Sequence, residues 1–183
     1  MNKKVKESID NLSSADDKIR LAALQTILKI TDDKVDWVYD VWNDLVDKLD
    51  NKNSYQRSIA ILVLCNLAKS DSENRIEECI HRLLAHTRDE KFITSRQCIQ
   101  NIWKVAASNS YARKMVLNQL EKQFAECAGE KHYNLIRLDI IQSIRLLYDY
   151  EQDDRLLVWA KGMARTEKEE KYRKKYEAIL QVN

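Results

Sequence analysis

Asp17-Lys18-Ile19-Arg20-Leu21-Ala22-Ala23-Leu24-Gln25-Thr26-Ile27-Leu28 is the stretch that decides the fold. After Arg20, apolar residues fall at Ala23, Ile27 and Ile30, which share one face of a helix with 3.6 residues per turn. The stripe returns behind Arg57 as Ala60, Leu64 and Leu67, behind Arg96 as Ile99, Trp103 and Ala106, and behind Arg137 as Ile140, Ile144 and Leu147. Arg173 opens a shorter copy with Tyr176 and Leu180. The arginines stand 37, 39, 41 and 36 residues apart. A unit recurring at that period points to a helical solenoid, in which each unit buries its apolar edge against the next.

Working outward, each arginine-led segment reads as the second helix of a pair. First helices are expected over Lys34–Leu49, Glu73–Ala85, Ala112–Cys127 and Arg155–Ala164. They keep register too, because Ile9, Leu45, Leu83, Leu120 and Leu157 are separated by 36, 38, 37 and 37 residues. Hydroxyl-to-acid spacings at Ser14/Asp17, Ser70/Glu73, Thr87/Glu90 and Thr166/Glu169 are expected to cap helix starts. Gly129 is expected as a left-handed helix stop, and Gly162 falls inside a helix and weakens it. Trp42 and Trp103 fit core stripes, while Trp37, Tyr39, Tyr148 and Tyr150 flank helix ends, where partial exposure is expected. Thr166 to Lys175 is the most polar stretch, and the Arg173 stripe makes it the start of a polar-faced terminal helix.

Composition agrees with an all-helical reading. The 183 residues contain no proline and two glycines, too little turn punctuation for sheets. Hydrophobic residues are 44% and charged residues 33%, as in a folded chain with a core. The net charge of +2 gives no general pull toward nucleic acid or an anionic membrane. Residues 1–50 carry a net −3 and residues 51–183 a net +5. No secretory signal or membrane-length apolar run is read, so a cytoplasmic location is expected. Cys65, Cys79, Cys98 and Cys127 form no Cys-x-x-Cys pair and read as buried, reduced thiols.

The Asp17–Leu28 segment resembles the second-helix consensus of the HEAT-repeat family: an acid, an aliphatic–Arg pair, Ala three residues on, then aliphatics. Gln56-Arg57-Ser58-Ile59-Ala60 and Ile136-Arg137-Leu138-Asp139-Ile140 are weaker copies. The resemblance implies one repeat domain over residues 1–183, an all-α, right-handed α/α superhelix of about five helix pairs. It also implies an Asp–Arg ladder, and the acid that should precede each arginine is present at Asp17 and Glu170 but replaced by Ser54, Ile93 and Asn134. The arginines therefore read first as structural forks to neighbouring carbonyls and acids, and second as a phosphate stripe.

The expected binding surface is the concave, second-helix face. Counting from each arginine, position +5 reads Gln25, Leu62, Asn101 and Gln142, position +8 includes Lys104 and Arg145, and position +12 includes Lys69. Amides in register suit a peptide backbone, since an amide both donates and accepts. Leu21 and Leu138 at +1 are apolar residues facing outward. The sequence shows no nucleophile elbow, phosphate-cradling glycine loop or metal-ligand spacing; Glu77, Cys79 and His81 do not share a helical face. The leading expectation is a non-enzymatic scaffold for a protein or peptide partner, without cofactor or metal. The alternative is nucleic-acid binding resembling HEAT-like alkylpurine DNA glycosylases, with Lys69, Lys104 and Arg145 as a basic patch near Trp103.

Overall fold

The computed structural model describes residues 1–181. Among them every regular element is helical and no strand occurs. The chain forms two compact units, one ending at Cys98 and the next beginning at Ile99.

In the first unit, α1 (Lys3–Asn11) pairs with α2 (Asp17–Ile30), α3 (Val38–Lys48) with α4 (Ser54–Leu67), and α5 (Ile76–Ala85) with the part of α6 (Phe92–Asn101) that reaches Cys98, whose thiol donates to the Leu83 carbonyl. The arginine-led stripe supplies the core: Ala23, Ile27, Ala60, Leu64 and Leu67 are buried, as are Leu45 and Leu83 of the first helices. Fully burying one such leucine contributes roughly 1.5–3 kcal/mol, so the stripe, rather than helix propensity, holds the pairs together. Polar bonds about one repeat long fix the register between hairpins. The Asn66 amide donates to the Leu28 carbonyl at 3.1 Å, and Arg82 donates to the Val46 carbonyl at 2.8 Å.

In the second unit, α7 (Trp103–Ala106) precedes α8 (Ser110–Glu126), which pairs with α9 (Tyr133–Glu151), and α10 (Asp154–Arg165) pairs with α11 (Glu170–Ile179). Ile140, Ile144, Leu147, Leu157, Tyr176 and Leu180 are buried. The polar stretch from Thr166 therefore does lead into a helix docked by its apolar stripe. Trp159 donates to Glu121 across 38 residues, joining the first helices of successive hairpins.

Several local expectations are corrected. The hydroxyls of Thr87 and Thr166 donate back to the Leu84 and Met163 carbonyls at the end of the preceding helix. Ser14 accepts from the Asp16 amide, and Ser70 from the distant Val35 amide. Asp16 caps α2 instead, and Asn53, Asn109 and Asp153 cap α4, α8 and α10, because a side-chain oxygen one residue before the helix reaches its free N–H groups directly; the N-cap residues of α5 and α11 make no such bond. Gly129 is not left-handed; Asn74, His132 and Gln152 take the positive-φ turns. The third second helix is interrupted between Asn101 and Trp103, so Ile102 takes the fully buried place and Trp103 is half-exposed, its ring 6.0 Å from Tyr150. Trp37 and Tyr148 are buried, Tyr39 is half-buried, and Tyr150 is exposed.

Candidate partner-binding groove

Second helices α2, α4 and α6 line up side by side in the first unit. The Ser58 and Thr94 hydroxyls meet at 3.0 Å between α4 and α6. Along these helices runs a groove of about 490 Å³. Leu24, Ile59 and Leu62 form its floor, and Leu21, Tyr55 and Ile93 stand along its edges. The edge residues are unusually bare for their size: Leu21 is 56% exposed, Tyr55 63% and Ile93 65%. These three large apolar side chains are held in water around one depression rather than scattered singly over the surface. Ser58, Thr94 and Gln97 bring hydroxyls and an amide to the same groove.

Its ends are charged. Arg20 is held in place by the Ser14 carbonyl at 2.7 Å, by an ion pair with Asp17, and by stacking over the Tyr55 ring at 5.2 Å. Lys91 lies at the edge carrying Ile93 and is exposed.

The expected site residues divide. Leu62 lies on the groove floor, and Leu21 stands at its edge. Gln25 is exposed on α2 outside the groove lining. Lys69 spends its ammonium on the Asp32 carbonyl at 2.7 Å. In the second unit, Lys104 donates to Asn101 at 3.0 Å and lies over Trp103. Gln142 is half-buried. Arg145 pairs with Asp149 and donates to the Ile179 and Gln181 carbonyls, closing the end of α11. Within the first unit, Leu62 lines the groove, while Gln25 and Lys69 do not. At +8 of α4, Cys65 is completely buried rather than outward. Tyr55, Ile93 and Lys91 were missed. The available signal was a large apolar residue in the first turn of each of two second helices, Tyr55 in α4 and Ile93 in α6, where polar capping residues are ordinary.

The register arginines serve the hairpins. Arg57 makes a two-pronged bond to Asp89 and also donates to the Asn51 and Lys52 carbonyls. Arg137 donates to Glu167 at 2.8 Å and to the Phe124 carbonyl, and stacks over the Phe124 ring. In both cases the acid comes from the turn inside the next hairpin, not from the position three residues before the arginine. Only Arg20–Asp17 follows the local pattern; Glu170 pairs with Lys174, while Arg173 reaches the Glu167 carbonyl. Asp89 also accepts from the Lys91 amide and meets His86 Nδ1 at 2.8 Å. Burial alone would raise its pKa, but Arg57, that amide and His86 together outweigh burial and hold it at about 2. Glu167 is pulled below its ordinary value in the same way, with burial opposing and the Glu169 amide and Arg137 prevailing.

Among the described residues, no three His, Cys, Asp or Glu side chains come together as a metal site, and no helix is long and apolar enough to cross a membrane. No protein-family model matches the chain, and no curated protein sequence matches it. Solved structures do. The designed armadillo repeat protein YIII(Dq)4CqI is 15% identical over 96% of this chain and 80% of its own, with a TM-score of 0.53. A computationally designed armadillo repeat protein for modular peptide recognition is 16% identical over 96% and 80%, with a TM-score of 0.51. An engineered protein is 15% identical over 98% and 78%, with a TM-score of 0.53. At such identities the likeness concerns the fold alone, and with the helix pairs described above it makes this chain an all-helical repeat solenoid.

Proposed function

We propose that this protein is a non-enzymatic, HEAT-like binding scaffold that holds an extended polypeptide segment along α2, α4 and α6 of its first unit. The observation that carries the reading is the row of bare apolar residues Leu21, Tyr55 and Ile93 around a groove of about 490 Å³. That volume falls in the roughly 300–1,000 Å³ range of binding clefts and takes several side chains. Hydroxyls and an amide within the groove suit a peptide backbone. One of the similar structures was designed for modular peptide recognition, which is in keeping with this use of the fold. The four buried, unbridged cysteines support a reducing, cytoplasmic setting. The nucleic-acid reading is weakened, because Lys69 and Arg145 are spent on carbonyls and an acid of their own chain.

A phage-displayed library of linear peptides panned on the purified protein tests the proposal. Selected peptides should bind with micromolar or better dissociation constants and lose at least tenfold on Ile93→Asp, with the helical circular dichroism unchanged. Failure to select any peptide, selection of peptides indifferent to Ile93→Asp, or retardation of single-stranded DNA that weakens steeply with salt would overturn it.

A further inference from the structure

The charges around the groove are segregated. The three second helices of the first unit contain a single carboxylate, Asp17, and five cations: Lys18, Arg20, Lys29, Arg57 and Arg96. The acids of this unit lie elsewhere, as in the row Asp40, Asp44 and Asp47 on first helix α3. Asp17 itself is neutralised by Arg20. At the far edge Lys91 is exposed, its backbone amide bound to Asp89 but its ammonium in no ion pair among the described residues. Its neighbour Glu90 leans instead toward Arg57, at 3.3 Å. An apolar floor is therefore bordered by one unneutralised cation and by no unneutralised anion.

Resting on the peptide-binding reading above, we infer that the preferred occupant is an acidic, apolar segment. Its aliphatic or aromatic side chains lie over Leu24, Leu62 and Ile93, and a carboxylate sits against Lys91. In an extended strand, alternate side chains point the same way, so apolar residues enter the groove while acidic ones lie along its edge. The apolar contacts supply the affinity. The edge charge selects the partner and sets the association rate, because oppositely charged segments are steered in and basic ones repelled. Lys91 is a specificity residue, and Leu62 and Ile93 are anchors.

The test uses the full chain and three fluorescein-labelled decapeptides: alternating leucine–glutamate, leucine–serine and leucine–lysine. Fluorescence anisotropy at low salt should rank them in that order, with about a tenfold advantage of glutamate over lysine that shrinks as salt rises. Lys91→Glu, a change at an exposed side chain, should abolish or invert the ranking while Lys69→Glu leaves it intact. Equal binding of all three, or tightest binding of the lysine peptide, overturns the acidic preference and leaves the scaffold reading standing. Binding by none of the three, while library-selected peptides still bind, also overturns only the preference. If Ile93→Asp converts a dimer to a monomer on gel filtration, the groove is filled by a second copy and the inference is overturned.

Discussion

Arg57 and Asp89 face each other through two parallel hydrogen bonds, Nε to Oδ2 and a terminal guanidinium nitrogen to Oδ1, both 2.8 Å long. They are 32 residues apart and both side chains are almost fully buried. The pair ties helix α4 to the turn of the following hairpin, and Asp89 at the same time accepts from the Lys91 amide at the entry to α6. Removing the cation alone leaves a buried carboxylate facing one fewer donor group, which costs about 3–5 kcal/mol. Arg57→Met should lower urea stability by that much. Adding Asp89→Asn, which keeps an oxygen for the Lys91 amide, should recover part of the loss. A double variant as unstable as the sum of the two single ones would show that the residues do not act as a pair.

Acid should weaken the protein through the same residue. The Asp89 carboxyl titrates at about 2 in the folded chain and near 3.9 when unfolded. Its stabilisation is therefore complete above pH 4 and is lost as pH falls from 4 toward 2, amounting to about 2 kcal/mol. Glu167, also shifted downward, acts in the same direction. Urea midpoints measured between pH 6 and pH 2 should fall through that window, and the fall should be shallower for Asp89→Asn. An unchanged slope in that variant would remove Asp89 as a source of acid sensitivity.

These two acids also show what the sequence could convey. The arginine column and its stripe are periodic, so hairpin order and core positions such as Ile27, Leu64 and Ile144 were readable directly. The partners of Arg57 and Arg137 were not, because they arrive from turns about 30 residues downstream and share no local spacing with them. For the groove, helical angle identified the outward face, and Leu21 and Leu62 do belong to it. The angle carries no record of which outward residues a neighbouring helix covers. Cys65 is buried, Lys69 is spent on the Asp32 carbonyl, and Tyr55 and Ile93, at the first turns of α4 and α6, take their place.

Gly162 offers a gain in stability. It lies within α10, and a Cβ built there would meet nothing within 4 Å. Its φ is not positive, so alanine fits the backbone. Gly162→Ala should stabilise by up to about 1 kcal/mol, chiefly by restricting the unfolded chain. For a chain of this length the melting temperature should rise by roughly 2–4 °C. A drop in melting temperature would mean that α10 is not the unstrained helix described here.

The cysteines should be silent in the folded protein. Cys65, Cys98 and Cys127 are fully buried and Cys79 nearly so, and none is bridged. Burial pushes the Cys79 thiol up to about 11, the Asp71 carboxylate adding to the effect and Arg82 opposing it, and burial also raises Cys98 well above its ordinary value. The thiolate is the reactive form, so at pH 8 Cys79 is almost wholly protonated as well as covered. Ellman's reagent should therefore react with the native chain about a hundredfold more slowly than with free cysteine, and in concentrated urea all four thiols should be released. One thiol reacting at the free-cysteine rate without denaturant would mean that one of the hairpins opens far more readily than its packing allows, and replacing each cysteine by alanine in turn would say which.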